Sequence, residues 1–146
     1  MADEARVCLV SDNTRIRVSS VLNKNVKEYG KKYMFDGKDE TCWNSDQGSP
    51  QFVIFEFPQE VNLKRICIQF QGGFAGKECQ LEGGPSSSSL TPFHQFYPDD
   101  VNTLQIFPVD SCKRMKVLKI IFLSSTDFFG RITIYKLDLF GSCVSS

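Results

Sequence analysis

The sequence predicts an all-β fold: an antiparallel two-sheet β-sandwich of jelly-roll type, with about eight strands and minimal helix. From Pro50 onward, apolar residues recur at period two over short stretches, as in strands that bury one face. The stretches are separated by Pro, Gly, Asn and Asp, which punctuate a chain that turns often. Thirteen phenylalanines against one tryptophan supply the aromatic area that two facing sheets need for a dry interior.

At 146 residues the chain suits one domain, 1–146, with residues 1–13 expected as a poorly ordered or edge leader. Ile16 to Leu22 then alternates with Arg15, Arg17, Ser19 and Val21, a strand with one drier face. Asn23 to Tyr33 is polar and lysine-rich. Only Lys31 to Phe35 reads as a helical turn, bounded by Gly30 and by Asp36-Gly37.

Phe52 to Phe57 is a strand closed by Pro58. Leu63 to Gln71 places Ile66, Ile68 and Phe70 on one face and Arg65, Cys67 and Gln69 on the other, and ends at Gly72-Gly73. Cys79 to Leu81 is a short strand, and Gly83-Gly84-Pro85 to Ser89 reads as a mobile loop. Thr91 to Phe96, Thr103 to Val109, Met115 to Leu123 and Arg131 to Phe140 complete the strands.

Lysines plus arginines equal aspartates plus glutamates, 17 against 17, so no global field holds nucleic acid or an anionic membrane. Direct nucleic-acid and membrane binding are therefore not expected. The polar, acidic start Met1-Ala2-Asp3-Glu4 lacks the apolar run of a secretory signal, so an intracellular, unsecreted protein is expected. The six cysteines are scattered without metal-ligand spacing and read as buried or free thiols, although Cys8 and Cys143 could be neighbours if the ends meet.

Met34 to Ser45, with Phe35-Asp36-Gly37 and Thr41-Cys42-Trp43, followed by Gln51 to Phe57 and a last strand ending at Gly141, resembles the discoidin (coagulation factor type C) family of galactose-binding-like domains. The resemblance spans nearly the whole chain. Four longer blocks, Phe35 to Gly37, Glu40 to Gly48, Gln69 to Phe74 and Thr126 to Arg131, resemble more narrowly a family of small proteins associated with a testicular orphan nuclear receptor. That resemblance implies a protein partner, an orphan nuclear receptor, and a nuclear protein that represses receptor-driven transcription by hindering the receptor's hold on its DNA element.

The resemblance also implies where a site would lie. Trp43, Asn44, Asp46 and Gln47, with Phe74, Phe128, Phe129 and Arg131, are the candidate partner-binding residues; their loops are Lys24–Lys32, Trp43–Ser49, Gln71–Lys77 and Asp127–Arg131. Polar amides beside aromatic rings suit peptide or sugar contacts, because a ring covers apolar surface while amides fix orientation. Trp43 also reads as core, as bulky aromatics usually do, whereas Phe74 beside glycines reads as an exposed loop-tip anchor.

Asp36, Asp39 and Glu40 are calcium candidates, since oxygen-rich loops supply hard ligands. However, Lys136 stands where many calcium-holding relatives carry glutamate, and an ammonium repels a cation; no metal and no cofactor are expected, with Lys136 instead pairing Asp36 or Asp39. His94, Arg114 and Arg131 do not assemble the histidine and two arginines of fucose-binding relatives. No nucleophile elbow or phosphate loop is present, so no enzyme is expected. The basic run Lys113-Arg114-Met115-Lys116 reads as a solvated turn entering a strand, with nuclear import or a phosphate contact as the alternatives. The expectation is a non-enzymatic adaptor; the alternatives are a carbohydrate-binding module or a small subunit of a larger cytoplasmic assembly.

Overall fold

A computed structural model describes residues 7–144. In chain order its strands are β1 (Val7–Cys8), β2 (Arg15–Val18), β3 (Trp43–Asn44), β4 (Gln51–Phe70), β5 (Gly76–Gly84), β6 (Thr91–Phe96), β7 (Gln105–Pro108), β8 (Arg114–Ser125) and β9 (Thr133–Cys143). Every pairing is antiparallel.

The two layers share β4. Its first half lies between β2 and β8, with Val18 opposite Val53 and Phe55 opposite Leu118, and β5 and β6 continue that layer. Its second half lies between β7 and β9, with Ile66 opposite both Phe107 and Leu139, and β1 and β3 pair with the far side of β9. The change of layer falls in the register shift between Glu56 and Val61. Pro58, Gln59 and Glu60 are exposed there, so the missing proline N–H costs no ladder bond. Two expected strands, Phe52 to Phe57 and Leu63 to Gln71, are thus one bent strand.

Between the layers lies the core. Val53, Phe55, Ile66, Ile68, Phe70, Leu81, Ile120, Leu137 and Leu139 are each buried, and Phe70 meets Phe122 edge to face at 5.9 Å between ring centroids. The alternation read from Leu63 to Gln71 holds: the even-numbered Ile66, Ile68 and Phe70 face inward.

Some local expectations fail. Gly83-Gly84 is not a mobile loop but the end of β5, and a side chain on Gly84 would place its Cβ 1.8 Å from the Ser89 carbonyl oxygen. The serines that follow form a tight turn closed by Ser89 N–H to Ser86 O at 3.1 Å. Beyond the 3-10 turn Lys31–Met34, helical turns form at Leu22–Lys24 and at α1 (Val26–Tyr29). Neither carries an apolar period; α1 starts because the Asn25 side chain accepts the Glu28 N–H at 3.3 Å.

Of the expected leader, residues 1–6 lie outside the described residues, and Val7–Cys8 is a strand on the edge of β9. The described thiols are all unpaired. Cys8 sits opposite Phe140, and Cys143 lies three places further along β9. That is roughly 10 Å at about 3.4 Å per residue, beyond the span of a disulfide. No described helix is long and apolar enough to cross a membrane.

Candidate functional site

Three connections meet at one end of the sandwich: the loop before β4, the turn between β4 and β5, and the loop between β8 and β9. Backbone hydrogen bonds tie them together. Ser45 N–H donates to Ile132 O at 2.8 Å and Gly48 N–H to Phe129 O at 2.8 Å, joining the first loop to the third. Gln71 N–H donates to Thr133 O at 3.0 Å, and Thr126 N–H to Ala75 O at 2.9 Å, joining the second to the third.

Beneath them lies Gln51, which shares the inward parity of Val53 and Phe55 and is 4% exposed. Its amide nitrogen donates to Asp46 O at 3.1 Å and Gly48 O at 2.8 Å, and its amide oxygen accepts from the Ser20 hydroxyl at 2.8 Å and from that of Ser19. A buried amide with both ends satisfied fixes the loop above it. Sequence reading passed over Gln51, although a polar residue at an inward strand position was the available signal.

The outer surface of the cluster is aromatic. Phe128 is 94% exposed and Phe129 54%, their rings edge to face with centroids 5.3 Å apart. Phe128 is the most exposed of the described large apolar side chains, ahead of Tyr97 at 62%. The loop is held rigid below the rings. Arg131 Nε donates to Asp127 Oδ2 at 3.1 Å and Nη2 to Asp127 Oδ1 at 3.4 Å, and this contact holds the Asp127 carboxyl below the ordinary carboxylate range. The same guanidinium lies 5.1 Å from the Phe74 ring centroid and 5.9 Å from that of Phe129.

Gly130 makes the turn possible. Its φ is +85°, and an added Cβ would come within 2.7 Å of Gly48 O, so the position excludes side chains twice over.

The expected contact residues therefore divide. Phe128, Phe129 and Arg131 share one surface, and Gln47 is exposed in the loop that bonds to Phe129. Trp43 is corrected: it is wholly buried, packs toward Phe122 and donates Nε1–H to Ser20 O at 2.9 Å, so it reaches no partner. Asn44 and Asp46 are half-buried, with Asn44 Oδ1 accepting from the Thr133 hydroxyl and Asp46 Oδ1 accepting Gln47 N–H at 3.0 Å. Phe74 is corrected too; it is half-buried under Arg131, and the loop-tip position belongs to Phe128. The segment Lys24–Lys32 bonds elsewhere, with Lys31 Nζ donating to Ile16 O on β2.

A fourth loop, missed in the sequence, abuts the second. Asn102 Oδ1 accepts Gly72 N–H and Asp100 Oδ1 accepts Gly73 N–H, each at 2.7 Å, while Gln69 Nε2 donates to Asn102 O at 2.8 Å. So anchored, it exposes Tyr97, Val101 and Leu104. Its Pro98-Asp99-Asp100 had marked only a turn.

The acidic loop is engaged internally. Asp36 accepts from Lys38 N–H at 3.0 Å and from the Thr41 hydroxyl at 2.6 Å, and Lys136 Nζ lies 2.7 Å from Asp39 Oδ1. Glu40 is exposed, and among the described residues no group of three potential ligands converges. His94 stacks on Phe96 in β6, while Arg114 opens the twelve-residue β8 and Arg131 lies beyond its other end. A groove of about 1080 Å³ lies beside β2 and is lined by both signs of charge, including Arg15, Lys31, Glu56 and Asp138.

No family model matches the chain. It is 53% identical over 133 residues to a Danio rerio protein named nuclear receptor 2C2-associated protein, covering 91% of this chain and 94% of that one. It is 48% identical over 136 residues to the Homo sapiens protein of the same name, covering 93% and 97%.

Among solved structures it is similar to the C-terminal domain of a Bacteroides fragilis chitobiase, with TM-score 0.79 and 18% identity over 95% of this chain and 100% of that one. It is also similar to a B. fragilis F5/8 type C domain, with TM-score 0.79 and 11% identity over 94% and 97%. A Clostridium perfringens family 32 carbohydrate-binding module solved with galactose gives TM-score 0.74 and 13% identity over 90% and 96%. The fold is thus the galactose-binding-like jelly roll.

Proposed function

Because the chain belongs to the nuclear receptor 2C2-associated protein family, we propose that it is a nuclear, non-enzymatic adaptor that docks on that orphan receptor through the Phe128–Phe129 surface. By covering the receptor's DNA-binding surface it lowers occupancy of the response element and represses transcription. It does so without touching DNA itself, in keeping with its balanced charge.

The observation that carries this reading is the pair of exposed rings on a loop held by the Asp127–Arg131 clamp and by Gly48 N–H to Phe129 O. A preordered aromatic anchor loses little entropy on binding, and aromatic anchors dominate interface energies. Among the described residues no amphipathic docking helix is available, since α1 spans only four residues. The partner therefore meets loops.

The test uses purified receptor and the full chain. Replacing Phe128 and Phe129 by Ala should leave the melting temperature unchanged, because both rings are solvent-exposed. Affinity should fall at least tenfold, as expected when an anchor of about 2 kcal/mol is lost. In a mobility-shift assay the wild type should reduce receptor–DNA complex and the double variant should not. Equal binding by both would move the site elsewhere; no binding by either would remove the receptor as partner. A carbohydrate reading fares less well at this surface, because the Arg131 guanidinium sits against the Phe74 ring where a sugar face would stack. Sugar-specific binding on a glycan array, abolished in the double variant, would reverse that preference.

A further inference from the structure

The serine turn and the basic run, neither of which serves the loop surface, meet at the opposite end of the sandwich. β5 ends there and β8 begins there, with Gly83 opposite Leu118 and Gly84 opposite Val117. Across the hairpin Gly83 faces Thr91. Since Gly83 has no side chain, Met115 Sδ, Phe93 Cε1 and the Lys113 stem pack over it, the Lys113 Cε 3.4 Å from where a Cβ would stand. Lys113 Nζ thereby reaches the Thr91 hydroxyl and donates to it at 3.0 Å.

Thr91 and the following Pro92 are exposed, and they open β6, the terminal strand of its layer, whose outer edge is unpaired. An exposed threonine in extended backbone, followed by proline and already contacted by an ammonium, has the form of a phosphoacceptor. We propose that Thr91 is a phosphorylation site for a proline-directed protein kinase, with Lys113 as the built-in cation that holds the phosphate.

In the transfer, Thr91 Oγ1 attacks the γ-phosphorus of ATP. The Oγ1–P bond forms, the bond from that phosphorus to the β,γ-bridging oxygen breaks, ADP departs with the electron pair, and the hydroxyl proton passes to the kinase's base. The product adds about 1.5 to 2 negative charges at pH 7 beside Lys113. Modification thus outweighs the Lys113 charge and fastens the hairpin to the start of β8 through a charge-assisted bond. Ser86 to Ser89 are poorer acceptors, because each lacks a following proline; the Thr91 hydroxyl gives up only a long bond to Gly83 O at 3.4 Å.

The experiment incubates the full chain with an active proline-directed kinase and MgATP, then maps the product by mass. A synthetic peptide of residues 87–96 and a Thr91→Val chain serve as controls. One phosphoryl group on Thr91, absent from Thr91→Val, is the expected result. In a phosphorus-NMR titration the wild-type phosphate should ionise below its ordinary second value of about 6, because Lys113 favours the dianion. In Lys113→Gln that value should return upward. No transfer to Thr91 in the folded chain, whether or not the peptide reacts, overturns the site; identical titrations in wild type and Lys113→Gln overturn the role of Lys113.

Discussion

The Gln51 amide is buried and joins the Ser19–Ser20 segment to the Asp46–Gly48 loop. Gln51→Leu keeps the volume but strands the Gly48 carbonyl and the Ser19 and Ser20 hydroxyls, while Asp46 O keeps the Ser45 hydroxyl. Denaturant unfolding should show a loss of about 2 kcal/mol, in the range for buried polar groups left unpaired. Asp127 makes a separate prediction. Its carboxyl is held below its ordinary value by Arg131, so the clamp's contribution is fully present above about pH 4 and is lost as pH falls through the lowered folded value. Backbone NMR signals of Phe128 and Phe129 should therefore shift in acid, and Asp127→Asn should abolish that step. Trp43 as core was legible from its residue type. The burial of Phe74 was not, because its cover, Arg131, lies far along the chain.

Strands were legible wherever one face alternates, as from Leu63 to Phe70, because burying one side of a pleated sheet imposes period two. Boundaries set by close approach were hidden. Gly83-Gly84 looked like linker, yet Gly84 is glycine because the Ser89 carbonyl occupies the place of its Cβ. Gly84→Ala should cost about 1–3 kcal/mol, the range for forcing an extra carbon into a packed site. Hydrogen exchange should show the loss concentrated in β5 and β6, whereas a linker glycine would tolerate the change. The same contrast explains β4. Pro58 looked like a strand end, but proline on an exposed bulge allows the strand to continue into the other layer.

At the scale of the whole molecule, the chain carries equal numbers of cationic and anionic side chains and an exposed aromatic loop at Phe128–Phe129. In the proposed complex apolar burial rather than steering drives association, so the on-rate for the receptor should change little with ionic strength. Surface-immobilised receptor measured from low to high salt checks this, and a steep decline would indicate a charged interface. The sequence by itself determined the class of fold, the inward residues of the long strands and the family, because periodicity and rare residue blocks are local properties of the chain. Tertiary structure alone decided which loops share a surface, that Phe128 and Phe129 crown it, that Lys136 engages Asp39 rather than Asp36, and that Lys113 reaches Thr91. Those facts depend on antiparallel register, which brings together residues distant in the chain, and no local pattern encodes that distance.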